Sequence, residues 1–133
     1  MTHERINPEG LMQPRGFTHA VVAAPGRLVF LAGQTAHAAD MSLPGDFVEQ
    51  FEAACANVAT ALTAAGGKPE HLVSMQMFVT DVAEYARRRS EIGEAWQRHL
   101  GAVYPAAALV EVTALVDPAA KVELMGVAVV PDA

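Results

Sequence analysis

The stretch Leu72-Val73-Ser74-Met75-Gln76-Met77-Phe78-Val79-Thr80, running straight into Asp81-Val82-Ala83-Glu84, decides the fold class. Its alternation puts Val73, Met75, Met77 and Val79 on one face and Ser74, Gln76, Phe78 and Thr80 on the other, as in a strand with one apolar side. Asp81 and Glu84 stand at capping-box spacing, and Tyr85, Ile92, Trp96 and Leu100 follow on a helical stripe. Gly101 closes this helix, and Pro105 cannot continue it.

Working outward, a second helix precedes the strand. Asp46 and Glu49 form another capping-box pair, and Phe47, Phe51, Ala54, Val58, Leu62 and Ala65 recur at three- and four-residue steps before Gly66-Gly67. Nearer the amino terminus, residues 17–24 and 28–32 read as strands around Pro25-Gly26-Arg27, which predicts an antiparallel hairpin. Residues 1–16 are rich in Pro, Gly and polar groups and read as an extended arm. Past the second helix, residues 107–115 and 121–129 flank Asp117-Pro118, predicting another hairpin. The order ββαβαββ implies an α+β two-layer sandwich in one domain spanning residues 1–133, with two helices on one face of a mixed sheet. Apolar residues occupy both sides of several strands. The uncovered sheet face is therefore expected to meet other copies of the chain around a threefold axis.

Composition narrows the function classes. Of 133 residues, 52% are hydrophobic and 18% charged, which argues against a disordered chain. The balance of 9 Lys+Arg against 15 Asp+Glu gives 9 − 15 = −6, which repels phosphate backbones, so no nucleic-acid partner is expected. No apolar run nears the roughly 18 residues a membrane span needs, and the polar amino-terminal segment carries no secretory signal. Cys55, the only cysteine, forms no internal disulfide and suits a reducing, cytoplasmic setting. His3, His19, His37, His71 and His99 include no i,i+4 pair, and phosphate-cradling glycine motifs are missing. Neither metal nor cofactor is expected.

Three features carry candidate chemistry. Glu111 lies in Leu109-Val110-Glu111-Val112, Glu123 lies in Lys121-Val122-Glu123-Leu124, and Gly33-Gln34 ends the 28–32 strand. A carboxylate among apolar neighbours must be paired, hydrogen-bonded or protonated, and functional carboxylates arise that way. The alternative is that each Glu binds backbone amides or an Arg at a subunit seam. A glycine at a strand end marks a bulge or close backbone approach to a ligand. Cys55, on a helix, reads as a packed small hydrophobe.

An ordered set of segments then resembles a known family. It runs through Arg5-Ile6-Asn7-Pro8-Glu9-Gly10, Phe17-Thr18-His19-Ala20-Val21-Val22, Phe30-Leu31-Ala32-Gly33-Gln34 and Asn57 with Ala64-Ala65-Gly66-Gly67. It continues through Phe78-Val79-Thr80-Asp81, Tyr104-Pro105-Ala106, Val110-Glu111-Val112 and Lys121-Val122-Glu123. Together these resemble the RidA (YjgF/YER057c/UK114) family over nearly the whole chain. The resemblance implies a chorismate-mutase-like fold, a homotrimer with small-molecule clefts at its interfaces, and hydrolysis of reactive enamines and imines to a keto acid and ammonia. It further implies that Glu123 positions the hydrolytic water as the catalytic residue and that the Gly33 N–H lines the cleft beside Ala32. Glu111 also matches a family position and is expected to be structural.

Departures from the pattern bear on the substrate. The family's deaminases carry an Arg after Pro-Ala, where Ala107 stands here; its guanidinium would fork onto the substrate carboxylate, each such bond contributing roughly 1.5–3 kcal/mol. Phe17 replaces a common Tyr, and Leu109 replaces the family Cys. Phe17, Ala107 and Leu109 are therefore expected to line a more apolar cleft. Arg87, Arg88 or Arg89, with Arg89 the one assigned to substrate binding, is the candidate substitute cation; the other reading of these three is a solvated helix face. The leading expectation is an imine hydrolase with altered substrate preference. Its rivals are a non-catalytic ligand-binding or regulatory trimer using the same cleft, and a ribonuclease, which would need a basic groove.

Overall fold

A computed structural model describes residues 3–132. Met1 and Thr2 of the polar amino-terminal segment, and Ala133 of the proposed domain, lie outside the described residues. The elements are β1 (Glu4–Ile6), β2 (Ala20–Val22), β3 (Gly26–Gln34), α1 (Phe47–Ala64), β4 (Leu72–Val79), α2 (Val82–Arg87), α3 (Arg89–Leu100), β5 (Ala106–Glu111) and β6 (Val122–Pro131), with one turn of 3₁₀ helix at Pro69–His71. A four-stranded mixed sheet runs β3-β6-β4-β5, and β1 and β2 form a separate ribbon. The architecture is α+β, as expected from the sequence.

Helix α1 starts where the Asp46 carboxylate accepts from the amides of Val48 and Glu49 at 3.1 and 3.2 Å, supplying acceptors the first turn lacks. It ends in a Schellman motif: the Gly66 amide donates to Thr63 O and the Gly67 amide to Leu62 O, both at 2.9 Å. Gly66 sits at φ +85°, which favours glycine. Phe47, Phe51, Ala54, Val58 and Leu62 are buried along the predicted stripe, facing Met75, Met77 and Val79 of β4 and Val122 and Leu124 of β6. Buried Gln50 locks α1 to the approach to β6: its amide nitrogen donates to Pro44 O and Ala119 O, and its oxygen accepts from the Lys121 amide at 2.8 Å.

Several sequence expectations are corrected. Neither hairpin forms. β2 pairs with β1 in antiparallel register, giving the expected arm a strand, while β3 pairs with β6. Gly26 serves that second pairing, because a Cβ there would lie 2.7 Å from the carbonyl carbon of Val130. β5 runs parallel to β4, not beside β6. A parallel pair needs a long crossover, supplied by α2 and α3, and this sends β6 to the centre of the sheet between two antiparallel neighbours. The near-continuous apolar run Leu124 to Val130, broken only by Gly126, fits this central position, with Met125 on the face away from the helices. Asp117-Pro118 does turn the chain, with the Ala119 amide donating to Asp117 Oδ1 at 2.9 Å, but the turn leads past β4. Three strands precede α1 and the second helix is split at Arg88, so the order is βββαβααββ. Within β4, Leu72 pairs with Ala128 and Ser74 with Val127. The bulge at Val73 turns Leu72 into the core in place of Val73.

The sheet face away from the helices is apolar and uncovered. Phe30 is 76% exposed, Leu28 63%, Val110 47% and Met125 39%. Among the described residues, no helix is long and apolar enough to cross a membrane.

Candidate functional site

The β3–β6 ladder is regular from Gly26 to Leu31 and then slips, so that Gln34 pairs with Leu124. This bulge carries Ala32 and Gly33 past Glu123. A Cβ built on Gly33 would run into Glu123 Oε2 and lie 2.8 Å from its Cδ, so only glycine lets the carboxylate lie against the β3 backbone. Glu123 alternates with buried Val122 and Leu124, which places it, half-buried, on the uncovered face opposite Phe78. Among the described residues, its carboxylate has no hydrogen-bond donor.

Beyond the bulge the chain is tied down. Asn57 Nδ2 donates to Thr35 O at 2.9 Å and His37 O at 3.1 Å. His37 bridges Thr35 Oγ1 at 2.6 Å and Asp117 Oδ2 at 2.8 Å. A neutral ring satisfies both contacts if Nε2 carries the proton and Nδ1 accepts from the Thr35 hydroxyl. The Ala119 amide and then His37 hold the Asp117 carboxyl below its usual range. These contacts fasten the exit of β3 to α1 and to the loop leading into β6, the two sides of the Gly33–Glu123 contact.

The other expected site residues gather elsewhere. Phe17, Ala107, Leu109 and Arg89 line one hollow of about 270 Å³ together with Arg15, Tyr85 and Met77. A contiguous hollow of about 150 Å³ shares Arg15, Tyr85, Arg89 and Met77 and reaches Phe51, Ile92, Trp96 and Tyr104. Its floor is aromatic: the Trp96 and Tyr104 rings stack at 6.2 Å between centroids. The buried Trp96 Nε1 has no hydrogen-bond partner among the described residues. Backbone contacts set the loop carrying Arg15 and Phe17 against β5, with the Thr18 amide donating to Pro105 O at 3.0 Å and its hydroxyl to Tyr104 O at 2.7 Å.

The three consecutive arginines divide. Arg88, between α2 and α3, pairs with Asp46 at 2.6 Å, Glu91 at 3.1 Å and Glu84 at 3.4 Å. Glu91 and Asp46 hold its guanidinium above its already high ordinary pKa, so Arg88 is a structural clasp. Arg89 reaches the hollow, its guanidinium carbon 6.0 Å from the Tyr85 ring centroid. Arg87 is exposed and lines neither hollow. Arg15 was not foreseen from sequence; its sole signal is its place two residues before Phe17. Glu111 accepts from the Val82 amide at 3.0 Å, an anion at the start of α2. Cys55 is buried, and desolvation pushes its thiol pKa far up, leaving it without thiolate character.

Within one subunit the site residues thus form two groups. Ala32, Gly33 and Glu123 occupy the β3 side of the uncovered face, whereas Phe17, Ala107, Leu109, Arg15 and Arg89 surround the hollow at the β5 edge. Neither hollow is lined by Gly33 or Glu123.

Known proteins share both sequence and fold. The family model described as Endoribonuclease L-PSP matches residues 11–130. Protein DfrA of Myxococcus xanthus is 34% identical over 115 residues, covering 85% of this chain and 84% of that protein. The crystal structure of YyfB from Yersinia pestis, a member of the conserved Rid protein family, superposes with a TM-score of 0.85 at 30% identity, covering 98% of this chain and 100% of that one. E. coli TdcF, crystallised with bound serine, gives a TM-score of 0.70 at 25% identity with 91% of each chain covered. With matches of this extent, the chain belongs to the endoribonuclease L-PSP family, the RidA (YjgF/YER057c/UK114) proteins.

Proposed function

We propose that this chain is a hydrolase of enamine or imine bonds in small metabolites, working as a homotrimer. The observation that carries the reading is the Glu123 carboxylate seated against Gly33 with no donor of its own among the described residues. A carboxylate in that position is available to hold a water. Glu123 takes a proton as the water attacks the imine carbon and passes it to the nitrogen, giving a carbinolamine; the same carboxylate then moves the carbinolamine hydroxyl proton to the nitrogen as the C–N bond breaks, giving a carbonyl compound and ammonia. The Gly33 N–H orients the substrate. The apolar face around Phe30, Val110 and Met125 supports the trimer, since isolated subunits seldom leave such a surface in water. Packing of subunits there brings the hollow of one against the Gly33–Glu123 contact of the next, joining the two groups into one cleft with Ala32 at its edge.

A second reading, a ligand-binding or regulatory trimer without turnover, draws on Ala107, which leaves β5 without the family's guanidinium, and on TdcF, which holds an amino acid in its crystal structure. An imine panel decides between them. Ammonia release is followed for the wild type and Glu123→Gln. Hydrolysis that falls by about 10²-fold or more in the variant supports general-base catalysis. Equal rates in the two proteins remove Glu123 from the mechanism, and no turnover of any imine leaves the binding reading.

A further inference from the structure

The hollow at the β5 edge has a charge pattern that Ala107 alone does not foretell. Two arginines, Arg15 from the loop before Phe17 and Arg89 from the first turn of α3, line both of its parts, and the Arg89 guanidinium stands by the Tyr85 ring. Among the described residues no carboxylate lines either part, although the chain carries 15 acidic residues and a net charge of −6. Among the described residues, neither Arg15 nor Arg89 forms an ion pair, while Arg27, Arg88 and Arg98 each have a carboxylate partner. Below the cations lies an aromatic and aliphatic floor made by Trp96, Tyr104 and Ile92. The part that reaches Trp96 measures about 150 Å³, a size at which an apolar cavity of about 150 Å³ holds a benzene ring.

We infer that this hollow takes a carboxylate carrying a phenyl-sized apolar body, with the anion between Arg15 and Arg89 and the ring against Trp96. This deepens the proposed function and rests on it only in naming the substrate's class: the imine cleaved would be that of an acid with a bulky side chain. Two cations reaching in from the loop and the helix replace the single guanidinium that Ala107 lacks, forking charge-assisted hydrogen bonds onto the carboxylate. Arg15 and Arg89 are specificity-determining residues on this reading.

Trp96 is the only tryptophan, so its fluorescence reports occupancy of the floor. Titration of the intact protein uses 3-phenylpropanoate, its amide and propanoate, with calorimetry as a second readout. The expected result is a saturable change with 3-phenylpropanoate, and binding at least tenfold weaker for the amide, which lacks charge, and for propanoate, which lacks the ring. Arg15→Ala and Arg89→Ala should each weaken 3-phenylpropanoate about tenfold and leave the amide unaffected, with circular dichroism confirming the fold. Arg15→Lys and Arg89→Lys should recover part of the loss. Equal binding of acid and amide, or unchanged affinity in both alanine variants, overturns the inference. Should binding fail while small imines are still hydrolysed in a Glu123-dependent way, the inference falls and the proposed function stands. If 3-phenylpropanoate binds as expected but no imine is turned over, the inference holds and the hydrolase reading falls.

Discussion

Gly33→Ala separates chemistry from stability. The new methyl group would meet Glu123 Oε2 and come within 2.8 Å of Cδ and 3.1 Å of Cγ. All three atoms belong to a half-buried side chain on the uncovered face, so the carboxylate can swing aside without moving the β6 backbone. Overpacking in a closed core costs about 1–3 kcal/mol; with an exit toward solvent, a cost near the low end, about 1 kcal/mol, is expected here. That corresponds to a fall in melting temperature on the order of 4 °C. The effect on imine hydrolysis should be far larger, because a catalytic group displaced by about 1 Å loses roughly 10²-fold in rate. Calorimetry alongside ammonia release under saturating substrate gives both numbers for one variant. Wild-type turnover with a shifted melting temperature would show that the Gly33–Glu123 contact is architectural and that the reaction, if any, happens elsewhere.

Other consequences follow from the same geometry. Phe30→Asp, on the uncovered apolar sheet face, should convert the proposed trimer to monomers in sedimentation, and an unaffected mass would move the interface to another face. Ammonia release from enzymatically generated 2-aminoacrylate should be weak in the wild type and rise in Ala107→Arg, where a guanidinium returns to β5; a wild-type rate already as high as the variant's would show that Arg15 and Arg89 suffice for small acids. Asp46 is held below its ordinary carboxylate range chiefly by Arg88. Its depressed folded-state pKa means that its contribution to stability is present above the unfolded value of about 3.9 and is lost as pH falls through the folded value. The stability gap between wild type and Asp46→Asn should therefore be full at pH 6 and close below about pH 4, as read by denaturant titration; a gap that persists in acid would show that the carboxylate's charge is not what counts.

Local signals in the sequence translate well into structure here. Asp46 and Asp81 cap the helices they precede, and the stripe from Phe47 to Leu62 is the buried face of α1. Pairing between strands was less legible. Turn residues at Pro25-Gly26 and Asp117-Pro118 mark where the chain changes direction, but they do not say which strand lies alongside. That choice follows from the central place of β6 between β3 and β4, a property of the whole sheet. Val73 was misplaced because a bulge adds one residue without leaving a mark in the alternation. The approach of Gly33 to Glu123 joins distant segments and could be anticipated only through the family resemblance. Arg15 has no periodicity to betray it, and its place beside the hollow emerges only once the loop is seen to share that lining with Tyr85 and Leu109.

The break between α2 and α3 gives adjacent side chains unrelated duties. In an unbroken helix, consecutive residues point about 100° apart in fixed sequence, and every arginine after Tyr85 would follow that progression. Ending one helix at Arg87 and starting the next at Arg89 frees Arg88 to grip three acids while its successor leans toward the hollow. The arginine that lines the hollow is thereby anchored by its own neighbour, and lengthening or shortening the junction by one residue would turn Arg89 away from it.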